Sequence, residues 1–268
     1  MMSFPGANAD REDAEYALLG APLDATTSFR PGARFGPDRV RQFARGFEDY
    51  DRSTDQAFSD LAVHDAGDVR AWNDAEACVD HLASTLRTLR QDGAVPLLVG
   101  GEHTVSVAGV RATEPDVFVC LDAHLDLRAE LDGEAWSHAT VTRHALETVG
   151  EAVILGARAG SEAGWERAGR GDVTVVPPEE VPAWGPDFDG EAYLSVDVDA
   201  ADPGFAPGTG TPEPFGLDPV TIRDVVRSVA PHAEGFDVVE VNDRDDGEAA
   251  LLGAKLLRAF VFSHASVD

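Results

Sequence analysis

Seven short apolar runs recur along the chain, and most are separated by stretches long enough for a helix. The runs cover residues 16–20, 96–100, 117–121, 152–156, 173–176, 192–198 and 236–241. Each has about the length of a β-strand, and its apolar residues are continuous rather than alternating. Continuous apolar strands are typical of a parallel sheet that is covered by helices on both faces. The pattern therefore predicts an α/β fold with a mostly parallel sheet.

Four segments place apolar residues at helical spacing, namely 74–92, 137–149, 218–229 and 248–262. The first ends before Gly93, a typical C-cap residue, and Asp218 with Pro219 forms an N-cap and first-turn pair. We find no internal repeat and no low-complexity linker, so we expect one domain over residues 1–268. A loop rich in Gly and Pro, residues 204–216, lies between a strand and a helix, where it is expected to line a site.

The chain contains no run of 18 or more apolar residues, and its N-terminus has no basic region followed by an apolar core. We therefore expect neither a transmembrane helix nor a signal peptide, and a cytoplasmic location. Cys78 and Cys120 lie in different contexts, and no CxxC pair is present. Neither a disulfide nor a thiolate zinc site is predicted.

Acidic residues strongly outnumber basic ones: 49 Asp and Glu against 21 Lys and Arg give a net charge of -28. This balance argues against nucleic acids and anionic membranes as partners. The acidic residues are scattered, which indicates a solvated surface. Self-repulsion of this size is tolerable where salt screens it, so the composition is typical of a protein from a high-salt cytoplasm. The alternative is an ordinary acidic protein.

Isolated polar residues follow four of the predicted strands. They are His103 after the run 96–100, Asp122, His124 and Asp126 after 117–121, Asp197 and Asp199 at the end of 192–198, and Glu240 within 236–241. In open α/β sheets, ligands bind beyond the carboxyl ends of the strands. Buried without a partner, these charges would each cost several kcal/mol, roughly 3 or more. A bound cation is the obvious way to neutralise them.

The first three of these strands supply two imidazoles and four carboxylates. One six-coordinate ion would use all of them and leave no open position, so two ions that share bridging carboxylates fit the number better. An oxygen-rich set with some nitrogen and no sulfur favours Mn²⁺, with Fe²⁺, Co²⁺, Ni²⁺ or Zn²⁺ as alternatives. A metal pair of this kind lowers the pKa of a shared water. Each residue also has a purely structural alternative, such as a loop histidine for His103, but the agreement of separate strand ends favours the metal site.

Three blocks of the sequence resemble the signatures of the ureohydrolase family, which comprises arginases, agmatinases and their relatives. They are GGEHT (100–104), DAHLD (122–126) and SVDVDAADPGFAPGTGTPEP (195–214). The segment GAPLDATTSFRPGARFGPDRVR (20–41) resembles the N-terminal loop of the agmatinase branch in particular, and SHATVTRHALE (137–147) resembles the segment after the second block in archaeal agmatinases. The resemblance implies a three-layer αβα fold, an eight-stranded parallel sheet, a pair of Mn²⁺ ions and a trimeric or hexameric homo-oligomer.

The resemblance also implies a role for each candidate residue. His103 and Asp126 would bind the first metal, His124 and Asp199 the second, and Asp122 and Asp197 would bridge the two. Glu240 would hold a guanidinium group, as carboxylates hold arginine. His138 would move protons; the alternative is a helix-start histidine without a catalytic role. Asp126 would also act in catalysis, by a hydrogen bond to the attacking hydroxide.

These roles imply hydrolysis of a small cationic guanidino compound with release of urea. Agmatine, which would give putrescine and urea, is the first candidate substrate. The loop after DAHLD lacks the Ser-Gly-Asn type sequence with which arginases bind an amino-acid head group, which argues against arginine. Asp243 stands where the family often has proline, so we expect a changed pocket rim. The alternatives are guanidinobutyrate, aminopropylagmatine, formiminoglutamate or arginine as substrate, or a non-catalytic metal-binding subunit.

Overall fold

The computed structural model describes residues 2–267, and its centre is an eight-stranded sheet in which every strand is parallel to its neighbours. The strands are β1 (Tyr16–Ala21), β4 (Val63–Asp68), β5 (Val95–Gly100), β6 (Val117–Leu121), β7 (Glu151–Leu155), β8 (Val173–Val176), β9 (Ala192–Asp197) and β10 (Ala233–Val239). A separate antiparallel hairpin pairs β2 (Tyr50–Asp51) with β3 (Gln56–Ala57).

Helices cover both faces of the sheet. They are α1 (Gly36–Ala44), α2 (Ala75–Gln91), α3 (Ser106–Thr113), α4 (Val141–Ala145), α5 (Glu162–Ala168), α6 (Pro219–Val229) and α7 (Glu248–His264). Helices α1, α6 and α7 pack together on one face, and α2, α3 and α4 on the other. This arrangement confirms the predicted αβα architecture. Within residues 2–267 no helix has the length and apolar character needed to cross a bilayer.

The central strands could be predicted as continuous apolar runs because they are buried on both faces. All five residues of β6 and all six of β9 are buried, because an apolar cluster packs on each face of the sheet. The expected caps are also present. Asp218 accepts hydrogen bonds from the backbone N–H groups of Val220 and Thr221, and Gly93 follows α2 with a φ of 101°.

One local prediction needs correction, and several elements were not predicted. The helix expected over 137–149 is only a 3₁₀ turn at His138–Thr140 followed by the five-residue α4. The edge strand β4 was not predicted, because its sequence VHDAGD is mostly polar and only half-buried. Helices α1, α3 and α5 were also missed.

The strand order determines where the site can form. It runs β4-β1-β5-β10-β9-β6-β7-β8, so the four strands that carry the candidate residues are adjacent at the centre of the sheet. Since all four are parallel, their carboxyl ends meet at one edge. This is the convergence that the sequence required.

Candidate metal centre and substrate pocket

One buried imidazole nitrogen is surrounded by three carboxylates. His103 lies in a 3₁₀ turn after β5, and its Nδ1 is 3.1 Å from Asp122 Oδ2, 3.0 Å from Asp126 Oδ2 and 3.5 Å from Asp197 Oδ2. These groups come from three different strand ends. The structure thus brings together four of the six predicted metal-binding residues around a single point.

The remaining two residues form a second centre beside the first. His124 Nδ1 is 2.9 Å from Asp199 Oδ2 and 3.5 Å from Asp122 Oδ1. Asp122 therefore faces His124 with one oxygen and His103 with the other. A carboxylate with this orientation can bridge two ions.

The donor set fits a pair of divalent ions. The Nδ1 atom of His103 is fully buried and makes no hydrogen bond of acceptable geometry, although three carboxylate oxygens surround it. Buried polar atoms are almost always satisfied, so this arrangement is better suited to a shared cation than to a shared proton. The ligating atoms of Asp122, His124 and Asp199 also lie within 4.8 Å of one another.

The outer face of His103 is held by a hydrogen-bonded chain. His103 Nε2 lies 3.2 Å from Ser195 Oγ, and that hydroxyl donates to Asp237 Oδ1 at 2.6 Å. Such outer partners fix the orientation of a metal-binding histidine. Cys120 Sγ lies 3.6 Å from the same Nε2, and burial raises the pKa of its thiol. Cys120 therefore stays a thiol on the side of the ring away from Nδ1.

The pKa values of His124 and Asp126 are shifted because acidic side chains outnumber basic ones at the site. Burial lowers the pKa of His124, but the charges and hydrogen bonds of Asp199 and Asp122 raise it to about 12. Burial and the charge of Asp122 together raise the pKa of Asp126 to about 6. Without another cation, these carboxylates stabilise the protonated form of the imidazoles. A bound metal ion would displace those protons, because histidine binds metal in its neutral form.

Glu240 directly follows β10, between the strands that carry His103 and Asp197. Its Oε1 accepts a hydrogen bond from the His103 backbone N–H at 2.9 Å, and its backbone has a φ of 61°. This left-handed conformation is uncommon for glutamate and is often found at functional sites. Burial raises the pKa of Glu240 to about 8. A guanidinium partner would return the carboxylate to its ionised form.

His138 lines the same cavity, which has a volume of about 290 Å³, together with Asp126 and Glu240. Its Nε2 lies 3.2 Å from Ser28 Oγ, and its backbone N–H donates to Thr26 Oγ1 at 3.1 Å. Burial lowers the pKa of His138 to about 4. The imidazole is therefore neutral at neutral pH, in the form that can accept a proton.

Glu102 contributes to the site but was not recognised in the sequence. Its buried carboxylate accepts hydrogen bonds from Thr26 N at 2.7 Å, and from Thr26 Oγ1 and Thr104 Oγ1 at 2.8 Å. Gly101 permits this contact, because a Cβ there would lie 1.8 Å from the carbonyl oxygen of Leu23. The loop beside His138 is thereby fixed to the turn that carries His103. The place of Glu102 inside the block GGEHT was the available signal.

The segment at Asp243 was expected to change the pocket rim, but residues 242–246 are not among those that line the cavity with His138 and Glu240. Arg244 Nε donates to the carbonyl oxygen of Pro31 at 3.0 Å, and Asn242 Nδ2 to that of Arg30 at 3.2 Å. Asp245 accepts hydrogen bonds from the backbone N–H groups of Gly247, just before α7, and of Ala249, in its first turn. This acidic segment therefore caps a helix and holds the 30–32 loop in place.

Comparison with known proteins agrees with this geometry. A model of the arginase family matches residues 14–263, nearly the whole chain. The chain belongs to the arginase family. It is 35% identical over 263 residues to an agmatinase of Pyrococcus horikoshii, covering 92% of this chain and 91% of the relative. It is 34% identical over 262 residues to an N(1)-aminopropylagmatine ureohydrolase of Thermococcus kodakarensis, covering 92% and 89%.

Solved structures within the arginase family share the whole fold. The crystal structure of an agmatine ureohydrolase of Thermoplasma volcanium superimposes with a TM-score of 0.93 at 32% identity, covering 99% of this chain and 95% of the other. Both the predicted family and the predicted fold are confirmed. As a member of the arginase family, the chain is a binuclear metal hydrolase that acts on linear amidine C–N bonds.

Proposed function

We propose that this protein hydrolyses agmatine to putrescine and urea and that it works with two Mn²⁺ ions. The observation that carries the proposal is the convergence of Glu240 with the two histidine–carboxylate centres in one cavity. The similarity to agmatinases supports agmatine as the substrate. The oxygen-rich donor set supports manganese.

Six residues would hold the two ions. His103 and Asp126 would bind one, His124 and Asp199 the other, and Asp122 and Asp197 would be shared. When bound, the ion pair supplies a water-derived nucleophile near neutral pH. Asp126 is within reach of the same centre and can accept a hydrogen bond from that nucleophile. Its left-handed φ of 49° aims the side chain back toward His103.

Glu240 binds the guanidinium group by charge and hydrogen bonding, which fixes the poorly electrophilic carbon close to the metal centre. Orientation of this kind supplies a large part of the rate acceleration in such reactions. His138 is neutral and borders the cavity, so it can take up a proton and deliver it to the leaving amine. Ser28 holds its ring, and Thr26 accepts a hydrogen bond from its backbone N–H.

The negative charge of the chain favours a cationic substrate. A net charge of -28 attracts a dication such as agmatine, although in molar salt the attraction acts over only about 3 Å. The similarity to an N(1)-aminopropylagmatine ureohydrolase makes that longer cation the second candidate. We also propose one domain and a cytoplasmic location, as expected from the sequence, and a trimeric or hexameric assembly, as the family resemblance implies.

A substrate panel tests the proposal. Purified protein is loaded with Mn²⁺ in molar KCl, and urea release is measured with agmatine, aminopropylagmatine, guanidinobutyrate, formiminoglutamate and arginine, with metal content determined in parallel. We expect two ions per chain and the highest kcat/KM for agmatine. Urea from arginine but not from agmatine would overturn the substrate. Two bound ions without urea from any compound would favour a non-catalytic subunit.

A further inference from the structure

One arginine fixes the wall formed by residues 204–216. The half-buried guanidinium of Arg158 donates hydrogen bonds to backbone carbonyl oxygens on three separate segments. The acceptors are Gly156 (3.0 Å), Asp199 (2.8 Å), Ala200 (3.3 Å), Ala201 (3.4 Å), Glu213 (2.7 Å) and Pro214 (3.0 Å). A guanidinium presents five donors in a rigid fork. The backbone of Glu213 is therefore held against the turn that carries Asp199.

The wall runs along the cavity away from Glu240. A Cβ on Gly210 would lie 3.1 Å from Glu240 Oε2, whereas the carboxylate of Glu213 reaches to 3.9 Å from His124 Nε2. Three residues span at most about 10 Å. The six bonds between the guanidinium carbon and the terminal amine of agmatine reach about as far as two extended residues, about 7 Å. Glu240 and Glu213 line the same cavity, so a substrate bound by Glu240 would extend its far end along this wall toward Glu213.

Two charged residues of the cavity lining have no part in the proposed reaction. Within residues 2–267 they are Glu213 and Arg128, and they would favour opposite charges at the far end of a substrate. The Glu213 side chain is 41% exposed, and one of its carboxylate oxygens lies 3.9 Å from His124 Nε2 at the cavity wall. The Arg128 side chain is exposed and its backbone is held by one hydrogen bond to Ala139, whereas Glu213 is half-buried and its backbone is held by the charged guanidinium of Arg158.

The geometry points to Glu213 as the specificity-determining residue that binds the positively charged far end of the substrate. Arg158 acts as its positioning residue. This inference rests on the proposed urea-releasing activity. It extends that activity by assigning the choice between a cationic and an anionic tail to one carboxylate.

The test compares Glu213→Gln and Arg128→Gln with the wild type, using agmatine and guanidinobutyrate at one KCl concentration. Glu166→Gln, an exposed acid on α5 outside the cavity, is the matched control. We expect Glu213→Gln to raise KM for agmatine about tenfold, because a charge-assisted hydrogen bond is lost. The kcat should stay within about twofold, since the far end is bound equally in the ground and transition states. KM for guanidinobutyrate should stay unchanged or fall.

Several outcomes would overturn the inference. An unchanged KM for agmatine in Glu213→Gln would do so, as would a preference of the wild type for guanidinobutyrate that Arg128→Gln abolishes. Loss of a metal ion from Glu213→Gln would mean that Glu213 orients His124 instead. If the wild type released no urea from any guanidino compound, the proposed function itself would fail, which is a separate result.

A double-mutant cycle tests the role of Arg158. Lysine keeps the charge but cannot reach acceptors on several segments, so Arg158→Lys should raise KM for agmatine more than KM for guanidinobutyrate. In combination with Glu213→Gln it should add less than its separate effect, because both changes remove the same contact. Independent effects on KM would show that Arg158 does not act through Glu213.

Discussion

Replacement of Asp199 by asparagine separates the two proposed metal centres. Asp199 Oδ1 accepts a hydrogen bond from Ala123 N at 3.0 Å, and Oδ2 faces His124 Nδ1 at 2.9 Å and Thr211 Oγ1 at 3.1 Å. In Asp199→Asn the remaining oxygen can still accept from Ala123, and the new amide can donate to Thr211. The fold should survive, while an NH₂ group would occupy the position of the ligating oxygen.

The expected loss of metal affinity is large because Asp199 would contact the ion directly. Changing a residue that only orients a metal ligand costs about 10- to 100-fold in metal affinity. Asp199 would be a ligand itself, so we expect a loss of at least about 100-fold, equivalent to about 2.7 kcal/mol. The loss should fall on the centre at His124. The centre formed by His103 and Asp126 should keep its ion.

The assay is metal content by elemental analysis, after equilibration with limiting Mn²⁺ and gel filtration, combined with the electron paramagnetic resonance spectrum of the bound ions. The wild type should bind two ions that interact magnetically, and the variant should bind one isolated ion and release little urea. Asp187→Asn, an exposed acid elsewhere on the chain, removes the same charge and should behave as the wild type. Two ions of unchanged affinity in Asp199→Asn would refute the assignment of Asp199.

Three further predictions concern metal removal, proton transfer and acid stability. For a free metal concentration of 100 times the dissociation constant, removing the metal should lower the free energy of unfolding by about 2.7 kcal/mol per ion. Calorimetry should then show a fall in Tm of about 5–10 °C. An unchanged Tm would contradict a buried metal centre. His138→Asn should lower kcat for agmatine about 100-fold with two ions still bound, and an unchanged kcat would assign the proton transfer to another group. Burial raises the pKa of Asp65, but the hydrogen bonds and charge of Arg41 outweigh this effect and hold that pKa below 3.8. Ionised Asp65 therefore stabilises the fold above pH 3.8, and this contribution is lost as the pH falls through the pKa of Asp65 in the folded protein. Asp65→Asn should therefore reduce the free energy of unfolding in urea more at pH 7 than at pH 3, and equal losses would contradict the argument.

The sequence alone predicted the α/β fold class and most of the polar residues that the structure brings together. Buried strands such as β6 and β9 are continuous apolar runs because both faces are covered, and each run changes abruptly to carboxylates and imidazoles where the strand ends. That change is local, so it can be found without knowledge of the partner strands. The edge strand β4 was not predicted because it is half-buried and mostly polar, as a loop would be.

Tertiary structure decided which of these groups meet and what surrounds them. Only the strand order places β10 between β5 and β9, which brings Glu240 next to His103. The Ser195–Asp237 chain behind His103 and the fork of Arg158 also join segments far apart in the sequence. Hydrophobic periodicity depends on neighbours within a few residues, whereas these contacts depend on the register and order of whole strands. For that physical reason the ligand types could be predicted from the chain, but their distances and orientation could not.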